Sequence, residues 1–282
     1  MNSMTMCFAV PSGRLMRAIA IGFFMAVVWG ACAASEAWAI PTSNLELWLN
    51  ADNVAGANGS TVSTWTDASG NGNDAVDYSG PASTHPTLQT GLYSGHNALR
   101  FTNATALRNN TIASLNDMTV FAVYKWNSLS NQNWYLSFGS YDPEFGVGSQ
   151  STHLSVYDTS YQQYNALAQT TDHLYRSMFV RSGGNQNTFT LEDGSTQTLA
   201  FAYSATAGSY QLASQQFGAI NGTANIDLAE LIVYNGTLSL QDQQAVLSYL
   251  AFKFDPPPAP EPSSLLLLAG VLGLSIAKRR RR

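Results

Sequence analysis

Asp67, Ser69 and Asn71 place side-chain oxygens at alternate positions ahead of Gly72, as the first half of a calcium loop does when it gathers hard-oxygen ligands around a turn. The second half departs from that pattern. Tyr78 stands twelve positions into the loop, where a bidentate carboxylate belongs, and Asp74 and Asp77 are the acids that could contribute instead. The candidate calcium set is therefore Asp67, Ser69, Asn71 and Asp74. The competing reading makes residues 65–75 a structural turn, because Gly and Asn accept positive φ and Asp and Ser cap their own backbone.

Hydrolysis of a glycosidic bond needs two carboxylates facing one cleft. Asp142-Pro143-Glu144 has i, i+2 spacing, but the proline between the acids suits a turn, and no third acid lies nearby. Asp227 and Glu230, at odd spacing on a strand, are expected to face opposite ways. His85, His96, His153 and His173 are scattered, without a His-Glu-x-x-His zinc spacing, and no Gly-x-Ser-x-Gly turn is present. Both cysteines, Cys7 and Cys32, lie ahead of residue 40, so the rest of the chain has no thiol nucleophile or thiolate metal site. The reading is non-enzymatic, with a glycoside-cleaving enzyme as the alternative.

Trp126, Trp134, Tyr141, Tyr157, Tyr161 and Tyr164 gather around strands and their loops. Planar rings stack on the apolar faces of sugars, and neighbouring amides can read hydroxyls, so residues 157–165 form a candidate glycan-contact loop. Its candidate residues are Tyr157, Tyr161, Tyr164 and Asn165. Aromatics are also simply good strand formers, and that explanation competes.

Charge narrows the partners. Of thirteen cations, five are clustered at residues 278–282 and two near the N-terminus, leaving six between residues 40 and 259 against sixteen carboxylates. A segment at about −10 has no basic surface for phosphates, so nucleic acid is not an expected partner.

The elements that must position these groups are mostly strands. Residues 45–49 alternate, with Leu45, Leu47 and Leu49 facing inward, and residues 98–101 form another strand. Residues 118–126 are apolar on both faces, as a central strand of a sandwich would be. Shorter strands are expected at 134–138, 145–147 and 153–157. Residues 174–181 put Leu174, Arg176, Met178 and Val180 on one face and Tyr175, Ser177, Phe179 and Arg181 on the other. Asp193-Gly194 predicts a hairpin between 188–192 and 196–203. Residues 226–234 are expected to group Ile226, Leu228, Ile232 and Tyr234 on one face. Ser239 with Asp242 resembles a capping box, and Leu247, Leu250, Ala251 and Phe254 define the apolar stripe of a helix over 240–254.

Leu47-Trp48-Leu49-Asn50-Ala51-Asp52, then Trp65-x-Asp67-x-Ser69-Gly70-x-Gly72-Asn73-Asp74-Ala75, and Ile226-Asp227-Leu228-Ala229-Glu230-Leu231-Ile232-Val233-Tyr234 before a terminal helix resemble the LamG-like, concanavalin A-like domains of bacterial surface proteins. The resemblance spans nearly all of 44–254. It implies an all-β fold, a two-sheet antiparallel jelly-roll sandwich with a short C-terminal helix. Some domains of that family bind calcium, so a calcium-dependent lectin-like module is a second functional alternative.

The two ends speak of location. Arg14 and Arg17 precede an apolar run over 18–33, and Ala37-Trp38-Ala39 is a small-x-small site for signal peptidase, so residues 1–39 are expected to be a signal peptide cleaved after Ala39. After the domain at 40–254, the Pro-rich linker at 255–259 cannot continue the helix and is expected to be an extended spacer. Residues 265–277 carry no charge and span only ~20 Å as a helix, short for a bilayer. They are expected to form a separate hydrophobic tail helix, a transient membrane anchor. Lys278, Arg279, Arg280, Arg281 and Arg282 should stay cytoplasmic.

Pro260-Glu261-Pro262, the hydrophobic run and the basic end together resemble the PEP-CTERM sorting signal of Gram-negative bacteria over residues 260–282. That resemblance implies handling by an exosortase and export to the cell surface or extracellular matrix. The sequence thus describes an exported surface or matrix protein for adhesion or polysaccharide binding.

Overall fold

The structure, a computed structural model, describes residues 39–77, 85–102, 105–130, 133–139, 145–158, 160–203, 206, 208–214 and 224–256. The chain divides between Trp38 and Ala39, and the second unit carries all described residues. The signal-peptide residue Ala37, the sorting triplet Pro260, Glu261 and Pro262, the expected tail helix and the cations from Lys278 to Arg282 lie outside the described residues. Among the described residues no helix is long and apolar enough to cross a membrane.

The strands are β1 (Leu45–Asn50), β2 (Thr64–Trp65), β3 (Ala75–Asp77), β4 (Thr87–Tyr93), β5 (His96–Phe101), β6 (Leu107–Asn109), β7 (Met118–Ser128) and β8 (Asn133–Phe138). They continue with β9 (Phe145–Gln150), β10 (His153–Asp158), β11 (Ser160–Ala168), β12 (Tyr175–Ser182), β13 (Gln186–Thr190), β14 (Thr196–Ala200), β15 (Tyr210–Leu212) and β16 (Asn225–Asn235). One helix, α1 (Leu240–Phe254), follows. All strand pairs are antiparallel. One sheet runs β14-β13-β12-β7-β16-β5-β4 with β1 also beside β16, and the other runs β11-β10-β9-β8-β15-β6-β3-β2.

The periodicity of the sequence explains this layering. Val120, Ala122, Tyr124 and Trp126 of β7 face the main core between the sheets, while Phe121 and Val123 join a second core under α1. The first sheet is therefore buried on both faces, as the unbroken apolar run of β7 requires. Leu47 and Leu49 of β1 reach the main core, and Leu45 reaches the helix side. The register shift between Leu45 and Leu47 lets one strand serve both cores. The expected hairpin forms between β13 and β14, with its first strand starting two residues earlier and its second ending at Ala200.

The expected grouping along β16 is overturned by a bulge. Its pairing with β7 shifts register between Leu228 and Glu230. One extra residue moves all later side chains to the other face. Ile226, Leu228, Leu231 and Val233 thus line the main core, whereas Ala229, Ile232 and Tyr234 face the helix. The same bulge lets two strands share one flank of β16, since β5 pairs with residues 226–228 and β1 with residues 230–234.

Helix α1 begins as expected, with Ser239 Oγ accepting the Asp242 amide and donating to the Asp242 carboxylate. Its stripe is rotated from the expected one. Val246, Leu250 and Phe254 are buried, with Leu247 and Tyr249 flanking them, and Ala251 lies at the edge.

Candidate functional site

The loop after β2 is built around Asp67. Its Oδ1 accepts the backbone N–H groups of Trp48 and Ser69, both at 2.9 Å, and its Oδ2 accepts Ser69 Oγ at 2.7 Å and the Asn73 N–H at 3.0 Å. Asp74 Oδ1 in turn accepts the Asp67 N–H at 2.8 Å. Asn71 and Asn73 turn their amide N–H groups to the β1 backbone, Asn71 to the Leu45 carbonyl at 2.7 Å and Asn73 to that of Glu46 at 2.9 Å. Asp67, Ser69, Asn71 and Asp74 are thus brought together, but the Asp67 oxygens are turned on N–H and O–H donors and the Asn71 amide on a carbonyl. That arrangement fastens the loop to β1. Among the described residues no cluster of three His, Cys, Asp or Glu side chains could hold a metal ion.

The second site is the outer face of the second sheet. Register carries one row of residues across it: Arg108 on β6, Gln211 on β15, Ser137 on β8, Gly146 on β9, Tyr157 on β10 and Tyr161 on β11. Their chain neighbours Leu107, Leu212, Leu136, Val147 and Val156 lie in the main core, which fixes the row as outward-facing. A bulge between Trp134 and Leu136 turns both Tyr135 and Leu136 inward and leaves Trp134 outside. The Trp134 ring lies across Gly146, where a Cβ would meet it at 3.2 Å, so a larger residue would push the ring aside by a few tenths of an ångström.

Three rings from three strands converge there. Trp134 and Tyr161 are nearly parallel (6.1 Å, 19°), and Tyr157 presents its edge to Tyr161 (5.0 Å, 63°) and to Trp134 (6.4 Å, 69°). Trp134 is buried beneath the tyrosines, and Tyr157 and Tyr161 are half-buried. Beside them Gln163 Nε2 lies 3.2 Å from the Gln150 carbonyl and 3.3 Å from His153 Nδ1. Among the described residues Trp134 Nε1 and both amide atoms of the buried Gln211 find no hydrogen-bond partner. Such orphaned groups are rare in folded proteins and mark places where something polar belongs.

One member of the expected glycan set, and the expected loop itself, depart from it. Residues 157–165 are a hairpin rather than a loop, because β11 pairs along β10. Tyr164 points the other way along β11 and is buried in the main core, donating from its hydroxyl to the Asn187 carbonyl at 3.1 Å and meeting Phe189 edge-on. Its face was fixed by alternation, since Tyr161 and Tyr164 stand three positions apart. Asn165 is exposed. Gln211, Ser137 and Arg108 were missed, because only sheet register, and nothing in their local sequence, sets them beside the rings.

The expectation for Asp227 and Glu230 also fails. The β16 bulge puts both on the helix side of the first sheet, each buried with its own partners. Arg100, at 2.7 Å through Nε and through NH2, Tyr93 and Asn127 surround Asp227. Trp48, Tyr249 and Lys253 surround Glu230. Asp142 and Glu144 lie outside the described residues, as does Tyr141. The histidines remain apart: His85 pairs with Asp77, His96 with Asp52 and His173 with Glu192.

No protein-family model and no curated protein matches the sequence. Solved structures do match the fold. Domain 4 of the extracellular arabinanase AbnA from Geobacillus stearothermophilus, solved in complex with arabinotriose, superposes with a TM-score of 0.51 at 15% identity, covering 72% of this chain and 96% of that one. An arabinofuranosidase complexed with arabinofuranosyl-α-1,2-xylobiose gives 0.52 at 13% identity over 69% of this chain and 51% of that one. The binding domain of Paraclostridial Mosquitocidal Protein 1 gives 0.50 at 9% identity over 75% and 53%. The likeness is one of architecture: a mostly β fold of two antiparallel sheets.

Proposed function

We propose that this is an exported, non-enzymatic polysaccharide-binding domain whose contact surface is the tyrosine end of the outer row of the second sheet. The observation that carries the reading is the convergence of Tyr157 and Tyr161 over Trp134, with Gln163 and His153 alongside. Aromatic faces with a few placed polar groups are the composition of a small-molecule site. A pyranose or furanose ring can lay its C–H face on Tyr161 while its hydroxyls exchange hydrogen bonds with the amide and imidazole. The likeness to an arabinanase domain seen with arabinotriose supports a saccharide as the first ligand to try.

Delivery outside the cell rests on the N-terminal leader and on the C-terminal resemblance to an exosortase substrate. The test is affinity electrophoresis and calorimetry with arabinan, arabinoxylan and the producing strain's own exopolysaccharide. Tyr161→Ala and Tyr157→Ala should each weaken binding by roughly thirtyfold, the worth of about 2 kcal/mol at a central aromatic contact. Both variants should keep the wild-type melting temperature to within a few degrees. Unchanged affinity in both would remove this face from consideration.

A further inference from the structure

On the opposite side of the molecule the β16 bulge carries Glu230 into a wholly buried position under α1. Glu230 Oε1 is held by Trp48 Nε1 at 2.7 Å and by the Tyr249 hydroxyl at 2.8 Å. Its Oε2 is thereby left facing Lys253 Nζ at 2.9 Å. The same nitrogen lies 2.9 Å from Asn50 Oδ1 and 2.9 Å from Asp52 Oδ2. Asn50 Oδ1 also accepts the Asp52 N–H at 3.0 Å, which polarises its carbonyl. The Lys253 side chain is only 10% exposed and lies over the rings of Phe254 (5.0 Å) and Tyr249 (5.9 Å). An amine, a carboxamide and a buried carboxylate thus share one poorly hydrated site.

We propose that Lys253 and Asn50 join through an intramolecular isopeptide bond, with Glu230 carrying the protons. Glu230 Oε2 takes a proton from the Lys253 ammonium. The transfer leaves a neutral acid and a neutral amine beside the Asp52 carboxylate. The Nζ lone pair attacks Asn50 Cγ, and negative charge gathers on Oδ1, where the Asp52 N–H stabilises it. Glu230 hands its proton to Asn50 Nδ2, the Cγ–Nδ2 bond breaks, and Glu230 takes the second proton leaving Nζ. That proton departs with the ammonia as ammonium, so Glu230 ends as a carboxylate and one amide has replaced another. The bond would tie the end of β1 to the end of α1, in a region whose sequence after residue 39 has no cysteine to make a disulfide.

The full chain, produced in a secreting host, purified and digested, decides the matter by mass spectrometry. The expected product is one branched peptide containing Asn50 and Lys253, lighter by one ammonia than the two linear peptides together. Recovery of wild-type protein as two unmodified linear peptides would overturn the proposal, independently of any variant's folding. Asn50→Ala and Lys253→Arg should each give only linear peptides. Glu230→Gln should lose the branched species, and its persistence there would overturn the assignment of Glu230.

Discussion

A single carboxylate organises the loop after β2. Asp67 accepts four hydrogen bonds, one from β1 and three from its own loop. Removing it strands buried N–H groups, each at a cost of about 1–3 kcal/mol. Asp67→Ala should therefore lower stability by roughly 3 kcal/mol in urea unfolding. Because those donors occupy the oxygens, calcium and EDTA should leave the wild-type melting temperature unmoved; a rise with calcium would restore the cation reading. Alternate Asp, Ser and Asn serve equally well as ligands or as the hydrogen-bonding groups of a turn, and the deciding partners on β1, the Trp48 N–H and the Leu45 and Glu46 carbonyls, are distant in sequence. Asp52 makes a second residue-scale case. Partial burial works to raise its pKa, but the Asn97 N–H, Lys253 and His96 outweigh that and hold the carboxyl below its ordinary range. A lowered folded-state value gives stability that is present above the unfolded value near ~3.9 and is lost as pH falls through the folded one. The urea midpoints of wild type and Asp52→Asn should accordingly differ at neutral pH and converge as the pH falls through the lowered folded-state value.

Among the elements, β7 was plain from its unbroken apolar run and α1 from its cap and extent, although the stripe of α1 is rotated from the expected one. The faces of β16 were hidden. A bulge leaves no mark in a run such as Leu228 to Val233, where every residue but Glu230 suits either core, and its position shows only through the partners β5 and β1. The short strands β2, β3, β6 and β15 were likewise invisible, each holding two or three residues whose extended shape is imposed by pairing. For α1 the expectations are direct. Ser239→Ala should cost about 1 kcal/mol through the lost cap. Leu250→Ala, at the middle of the buried stripe, should cost about 3 kcal/mol through the cavity it opens. Chemical denaturation measures both, and equal effects would show that the helix is only loosely seated.

For the molecule as a whole, the two sheets were legible in the sequence, the export address is an expectation it raises, and the row of side chains across the second sheet came only from register. The address has its own test. Intact masses of secreted and membrane-bound protein should show loss of residues 1–39 and of the hydrophobic tail, and replacing Pro260, Glu261 and Pro262 by alanine should leave the tail attached. A tail retained in both proteins would make the chain a membrane-anchored surface domain. The layout of the first sheet adds a matter of timing. Leu49 pairs with Leu231, and β5 and β7 meet only through β16, the last strand to be synthesised. Pairings so remote in sequence form late and slowly. Until residues 225–235 have emerged, β1, β5 and β7 lack their common partner, and a chain still unpaired at that stage is the form that the proposed export route requires.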